Sequence, residues 1–408
     1  MTELSIHAAA REAGDRPAII TRDRTWTFAE CAGLARAPGP VLVAAPTVAT
    51  ILGVYGALEA IQPVAMIHAK APADEQLRQR AEIAKAELPT GTAFVLFTSG
   101  STGAARGVVL PRTAIVAAAH ASAACLGWRE DDRWLLPLPM AHAGGLSIVV
   151  RCLIARKPLV LLEDDTELST LVRASRATIA SFVPAQLARL VTGDPASLRA
   201  AILGGAATPP NLLATALAAG WPVLASYGLT ETFGQIATAR APGGPLVLLP
   251  GVELECRETI AIRTPQLATR YLDGTAIAPV FVTADLGELE LVGGERVLRV
   301  RGRRDDVIIS GGENVHPLEV EAILSATPGI AAACAFGVPD ERYGHVVGAA
   351  VIVTASFDRR AALAHWHAML APYARPRWLA EVATLPLLPS GKLDRLAIAT
   401  LPSQPLAY

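Results

Sequence analysis

Cysteine is scarce in this chain: Cys31, Cys125, Cys152, Cys256 and Cys334 are the only five in 408 residues, widely scattered and without a C-x-x-C pair. An odd, dispersed set excludes a disulfide framework and a paired-cysteine zinc site, and it fits reduced thiols in a cytoplasmic setting. Charge is also sparse, at 18% of residues against 52% hydrophobic. That balance is the reverse of one that keeps a chain disordered. The formal net charge is −1 and no block of Lys and Arg occurs, so the footprint of a nucleic-acid or anionic-membrane partner is missing and any bound anion is held locally. The first residues, "MTELSIHAAAREAGDRP", mix acids and bases without a continuous apolar core, which predicts no signal peptide. The one uncharged run approaching bilayer length, Pro40 to Leu58, is Ala-rich and divided at Pro46. It predicts a strand, a turn and a helix rather than a membrane span.

What is present is an alternation. Short runs such as "VLVAA", "FVLF", "PLVLLE", "IASFVP" and "AAILGG" are separated by helical stretches such as Ala114–Cys125 and Glu167–Ala174, the pattern of an α/β fold with buried strands. From about Leu246 to Arg301 the texture changes to short strands broken by Gly and Pro, predicting a small β-subdomain. Beyond "GRRDD" come a helix over Pro317–Ala326, strands over Ala331–Phe336 and Val346–Val353, and a helix over Asp358–Leu370. We therefore expect a large N-terminal domain of layered α/β subdomains over residues 1–304 and a small mobile α+β domain over 305–408, with the boundary near Asp305.

Phe94 to Pro111 reads "FVLFTSGSTGAARGVVLP". Two apolar runs predict strands flanking a Gly/Ser/Thr loop. A Walker loop runs into a helix and needs Lys then Ser or Thr after its last Gly, whereas Gly107 is followed by Val108. Two readings remain: a solvent-facing loop, or a cradle in which backbone N–H groups and the hydroxyls of Thr98, Ser99, Ser101 and Thr102 converge on phosphate, with Gly100 and Gly103 allowing close approach and Arg106 adding charge.

The remaining motifs bear on that choice. "TSGSTGAARGVVL", "PLPMAHAGG", "LGGAA", "SYGLTET", "TADLGEL", "RGRRDDVIISGGENVHPLEVE" and "PSGKLDR" follow one another across Thr98 to Arg395. Together they resemble the adenylate-forming family of acyl-CoA synthetases, peptide-synthetase adenylation domains and luciferases. The resemblance implies an enzyme that activates a small carboxylic acid with ATP and Mg²⁺, releasing pyrophosphate, and passes the acyl group to a thiol, commonly of coenzyme A. It implies Lys392 as the catalytic lysine bridging carboxylate and α-phosphate, Glu231 as the Mg²⁺ carboxylate and Thr230 as a donor to the α-phosphate. Read from residue type alone, Thr230 and Glu231 equally suit a helix N-terminus.

The resemblance further assigns Asp285 to the ribose hydroxyls with Arg303 assisting, a pair that would otherwise be a salt bridge. It places Tyr227, followed by Gly228, against adenine, with Gly204, Gly205 and Ala206 approaching the purine. His142 would line the acid pocket as a positioning group, and Gly311 and Gly312 would admit the pantetheine arm once the small domain has turned about Asp305. A homodimer is a state the resemblance allows. Two features depart from the family pattern: Arg106 stands where Lys is usual, and the segment before Thr98 is short. Within the family the spacing looks most like the branch that acts on o-succinylbenzoate, the alternatives being another aryl- or acyl-CoA ligase, a carrier-loading adenylation enzyme or a nonenzymatic nucleotide-binding relative. Arg151 or Arg189 would be the reader of a second carboxylate, with surface ion pairing as the rival fate of each.

Overall fold

The computed structural model describes residues 2–98, 105–161, 168–388 and 393–406. The largest sheet has eleven strands, in the order Asp285–Val292, Glu295–Arg303, Leu246–Leu248, Gly234–Ala239, Val223–Leu229, Ala200–Leu203, Ile179–Phe182, Trp134–Leu136, Leu159–Leu161, Pro17–Ile20 and Thr25–Thr27. From Val223–Leu229 to Pro17–Ile20 neighbours are parallel. Ile179–Phe182 and Ala200–Leu203 are buried at every position, as expected of strands covered on both faces. The strand Val223–Leu229 changes partner midway, from parallel pairing with Ala200–Leu203 to antiparallel pairing with Gly234–Ala239.

The β-rich segment is not self-contained: Leu246–Leu248, Asp285–Val292 and Glu295–Arg303 extend the large sheet, and only Glu253–Cys256, Ile260–Arg263 and Phe281–Val282 form a separate three-stranded one. Edge strands carry unpaired backbone groups and gain by joining an open edge, which local patterning does not register.

A second sheet runs Arg270–Tyr271, Gly107–Pro111, Thr92–Phe97, Val64–His68 and Val41–Ala44. Pro40 to Leu58 is indeed a strand, Val41–Ala44, followed by a helix, Val48–Glu59. Thr47 caps that helix by accepting from Thr50 N, so Pro46 ends the strand and Thr47 starts the helix. Among the described residues no helix is long and apolar enough to cross a membrane.

Just before three strands of the large sheet lies a buried ion pair. Asp132, 1% exposed, accepts from Arg199 Nε at 2.8 Å and Nη2 at 2.6 Å, from Thr178 Oγ1 at 2.7 Å and from Arg129 N at 2.7 Å. Burial opposes the carboxylate's charge, but Arg199 and the two other donors outweigh it and hold the pKa below its ordinary value. The pair ties together the entry ends of three parallel strands whose opposite ends carry the site loops.

Residues after Asp305 build their own core from Val320, Leu324, Val347, Val351, Trp366 and Leu379, with Trp366 Nε1 donating to Thr327 Oγ1 at 2.9 Å. The helices Pro317–Ser325 and Arg359–Met369 cover one face of a six-stranded sheet. Polar contacts reaching back to the large domain include Arg301 Nη2 to Glu319 Oε1 at 2.5 Å and Asn211 Nδ2 to Ile330 O at 3.5 Å.

Candidate active site

The strands Thr92–Phe97 and Gly107–Pro111 pair antiparallel, Phe97 opposite Gly107, so the Gly/Ser/Thr segment is a hairpin connection and does not run into a helix. Thr98 and Arg106 close its base: Thr98 N donates to Arg106 O at 3.0 Å, and Arg106 N donates to Thr98 Oγ1 at 3.2 Å. Ser99, Gly100, Ser101, Thr102 and Gly103 lie outside the described residues, and so does Lys392.

Arg106 is anchored in a way no local pattern indicates. Its guanidinium lies 3.6 Å from the Tyr271 ring centroid and Nη2 is 3.0 Å from Asp273 Oδ2. Gly107 makes this approach feasible, because a Cβ there would come within 2.8 Å of Leu272 Cβ. The strand Arg270–Tyr271 thus docks directly on Gly107–Pro111.

Thr230 and Glu231 sit in the turn between Val223–Leu229 and Gly234–Ala239, where Leu229 pairs with Gly234. The helix-capping reading of these two residues is therefore overturned. The turn is held by Thr232 Oγ1, which accepts from Leu229 N at 3.3 Å and donates to Gly234 O at 2.8 Å. Gly228 has a backbone reason for its identity: a Cβ would come within 2.0 Å of Gly234 O. Glu231 is buried, and its Oε1 accepts from Tyr271 Oη at 3.1 Å. Burial and the Glu231 carboxylate both push the Tyr271 phenol up, so it stays protonated and donates. Oε2 makes no hydrogen bond among the described residues, and no cluster of three or more acidic, His or Cys side chains occurs there. One buried carboxylate with a free oxygen fits Mg²⁺, which takes few protein ligands and completes its shell from phosphate and water. It does not fit a closed metal cage.

On the strand that leads into this turn, Tyr227 Oη donates to Asp285 Oδ2 at 2.6 Å, and Arg303 Nη1 reaches Asp285 Oδ1 at 3.3 Å. The expected salt bridge exists, with Asp285 also carrying the phenol. Burial first, then Asp285, pushes the Tyr227 hydroxyl's pKa well up. Gly204, Gly205 and Ala206 follow the strand Ala200–Leu203, beside Tyr227. Gly204 is required by Ser226, whose Oγ would lie 2.5 Å from a Cβ, and Gly205 adopts φ +82°. In "SGGEN", Gly311 and Gly312 have φ of +62° and +89° and join Ile308–Ser310 to Glu313–Val315. Two successive positive φ values are what a two-residue hairpin turn demands.

His142 is the N-cap residue of the helix Ala143–Ala155. Its ring centroid is 5.3 Å from that of His68, which ends the strand Val64–His68. His68 Nδ1 accepts from Lys70 N at 3.0 Å, so its proton resides on Nε2, and burial keeps the ring's pKa below its usual value. Sequence reasoning singled out neither His68 nor Tyr271, whose contacts with His142 and with Arg106 and Glu231 join segments distant in the chain.

Arg151 overturns its surface ion-pair reading. It is 4% exposed, its Nε and Nη2 have no hydrogen-bond partner among the described residues, and burial lowers its pKa to about 10. Its guanidinium lies 5.4 Å from the Trp134 ring centroid. Nη2 would be 3.6 Å from a Cβ on Gly234, which places the charge against the turn bearing Thr230 and Glu231. Arg189 is exposed on the helix Pro184–Leu190 and takes part in none of the ion pairs found among the described residues.

Two paired strands flanking a Gly/Ser/Thr segment, a buried carboxylate in a second hairpin turn and a Tyr–Asp–Arg cluster are the features to set beside the adenylate-forming enzymes. Residues 41–272 match the AMP-binding enzyme family and residues 319–392 the AMP-binding enzyme C-terminal domain, and the chain belongs to that family. Among curated relatives, a 2-succinylbenzoate–CoA ligase from Bacillus licheniformis is 34% identical over 332 residues, covering 74% of this chain and 69% of the relative. Among solved structures, o-succinylbenzoate CoA synthetase (MenE) from Bacillus subtilis with the acyl-adenylate intermediate OSB-AMP superposes at TM-score 0.83 and 26% identity, over 98% of this chain and 99% of that one. The same enzyme with ATP and magnesium ion superposes at TM-score 0.80, also 26% identical, over 96% and 98%.

Proposed function

We propose that this chain is an ATP-dependent acid–thiol ligase that activates o-succinylbenzoate as its acyl-adenylate, releases pyrophosphate and transfers the acyl group to CoA. The observation that carries the choice of acid is Arg151. A guanidinium buried without an acceptor is costly unless an anion arrives to pair with it. o-Succinylbenzoate has two carboxylates: one to be activated, and a second that a planar, forked cation reads well.

The residues divide the work by position. Thr98 and Arg106, with the loop between them, would hold the β- and γ-phosphates, while Asp285 accepts from the ribose hydroxyls and Arg303 steadies Asp285. Glu231 would hold Mg²⁺ through Oε2; the cation supplies charge neutralisation between phosphate oxygens. Lys392 would place an ammonium between carboxylate and α-phosphate, where two anions must approach and positive charge lowers the barrier most. His142 and His68 line the side next to the acid, His68 as a neutral N–H donor. We place the moving boundary at Asp305, in the short helical turn Arg304–Asp306, and read the "SGGEN" hairpin as the element that faces the thiol afterwards. The five free cysteines support a reducing, cytoplasmic setting.

The test is pyrophosphate release by purified protein with ATP and Mg²⁺ over a panel of acids, with thioester formation followed with and without CoA. o-Succinylbenzoate should exceed its analogue lacking the ring carboxylate by about two orders of magnitude in kcat/KM. Equal use of both acids would remove o-succinylbenzoate from the reading, and silence with every acid would remove the ligase.

A further inference from the structure

Arg106 departs from the family pattern, and the contacts around it form a chain that ends on the metal carboxylate. We propose that Tyr271 is a positioning residue that couples the phosphate-loop cation to Glu231, so that triphosphate binding and Mg²⁺ binding reinforce each other. The inference rests on the reading of Glu231 as the Mg²⁺ carboxylate and of the loop closed by Thr98 and Arg106 as the triphosphate cradle.

Tyr271 presents its ring face to the Arg106 guanidinium at 3.6 Å and its hydroxyl to Glu231 Oε1 at 3.1 Å. A flat guanidinium can stack on a ring, which a compact ammonium cannot do; Arg at this position is matched to the tyrosine beneath it. Asp273 Oδ2 holds the outer edge of the guanidinium at 3.0 Å, and Asp273 Oδ1 accepts from Thr275 N at 2.8 Å, which fixes the carboxylate. The opposite end is fixed too, since Ala268 N donates to Glu231 O at 2.7 Å. The hydroxyl occupies Oε1 of Glu231 and leaves Oε2, the oxygen that would hold Mg²⁺. When phosphate draws Arg106 into place, the ring beneath it is held and Glu231 is oriented at the same time. This is coupling through a hydrogen-bonded, stacked unit, and coupling of this kind is reciprocal.

The experiment measures binding rather than turnover. Mn²⁺, an EPR-visible stand-in for Mg²⁺, is titrated into the full chain with and without a nonreacting α,β-methylene analogue of ATP. The wild type should bind Mn²⁺ more tightly when the nucleotide is present. Tyr271→Phe keeps the ring and loses the donor to a charged acceptor, so nucleotide-dependent Mn²⁺ affinity should fall about tenfold, while analogue affinity in EDTA stays within about twofold, a split that loss of structure alone does not produce. Arg106→Lys, at an exposed position, should weaken Mn²⁺ binding about threefold in the wild-type background and not at all in Tyr271→Phe; it keeps the test open should the tyrosine variant fold poorly. Unchanged Mn²⁺ affinity in both variants, or strictly additive losses, overturns the coupling and leaves the site reading standing. Absence of nucleotide-dependent Mn²⁺ binding in the wild type overturns both.

Discussion

Arg151→Met separates a residue kept for its ligand from one kept for the fold. Burial holds the guanidinium's pKa about 2.5 pH units below its ordinary value, at about 10. At about 1.4 kcal/mol per unit, this amounts to roughly 3 kcal/mol against the folded, ligand-free chain. The contact with the Trp134 ring offsets about 1 kcal/mol of it. Met fills much of the same volume without charge, so the free protein should gain about 2 kcal/mol and melt a few degrees higher. The sign with pH follows from the direction of the shift. A base whose folded pKa lies below its unfolded one carries its full penalty wherever both states are protonated, so the gain should be constant below about pH 9 and shrink only above pH 10. Binding should respond in the opposite sense. Loss of a buried, charge-assisted pair should raise KM for o-succinylbenzoate by about two orders of magnitude, with KM for ATP unchanged and the preference over the mono-acid analogue abolished. Thermal melts and pyrophosphate-release kinetics on the same preparations decide it. A variant that melts lower than wild type and still discriminates between the acids would show Arg151 to be a structural cation and remove the main support for a two-carboxylate substrate.

Three further outcomes are expected. Lys392→Ala should slow adenylation by about three orders of magnitude while ATP affinity, measured by calorimetry, is retained; near-normal pyrophosphate release would refute its assignment. Asp305→Pro should impair thioester formation from preformed acyl-adenylate more than adenylation, because it stiffens the turn at which the small domain would swing; equal loss in both half-reactions would count against a swing there. Asp132→Asn should cost about 3 kcal/mol in urea unfolding by stranding Arg199 without its carboxylate partner. Since the Asp132 pKa is lowered on folding, its contribution is present above the unfolded carboxylate range and lost as pH falls through the folded value, so wild type and variant should converge in acid; a gap that persists there would contradict this.

The sites that patterning could locate are those whose signal is local. "FVLF" and "GVVL" became the paired strands Thr92–Phe97 and Gly107–Pro111, because an apolar run bounded by Gly and Pro has few other ways to bury itself. "GG" before "EN" became a tight hairpin for the same kind of reason: only Gly accepts two successive positive φ values without strain. Tyr227, Asp285 and Arg303, far apart in the chain, meet in the structure.

Other readings failed or were missed where the deciding contacts come from strand pairing or from segments distant in the chain. Thr230 and Glu231 suit a helix N-terminus by residue type, but the chain reverses there because Gly234–Ala239 pairs with the strand it has just left. Arg151 reads as a surface cation on any charge count, yet its helix is buried on nearly every side. Tyr271 looks like an ordinary strand residue until Glu231, 40 positions away, meets its hydroxyl and Arg106 its ring face.

By itself the sequence determined the α/β class, the two strands that flank the Gly/Ser/Thr segment, and the order in which the candidate groups arrive. These follow from periodicity, turn residues and short-range sterics, which act between neighbours along the chain. Tertiary structure alone decided that the Arg151 guanidinium is buried with nitrogens left unpaired among the described residues, and that the Tyr271 hydroxyl reaches Glu231. Burial and hydrogen bonding at those points depend on contacts between segments up to 167 residues apart, and no local property of either segment carries that information.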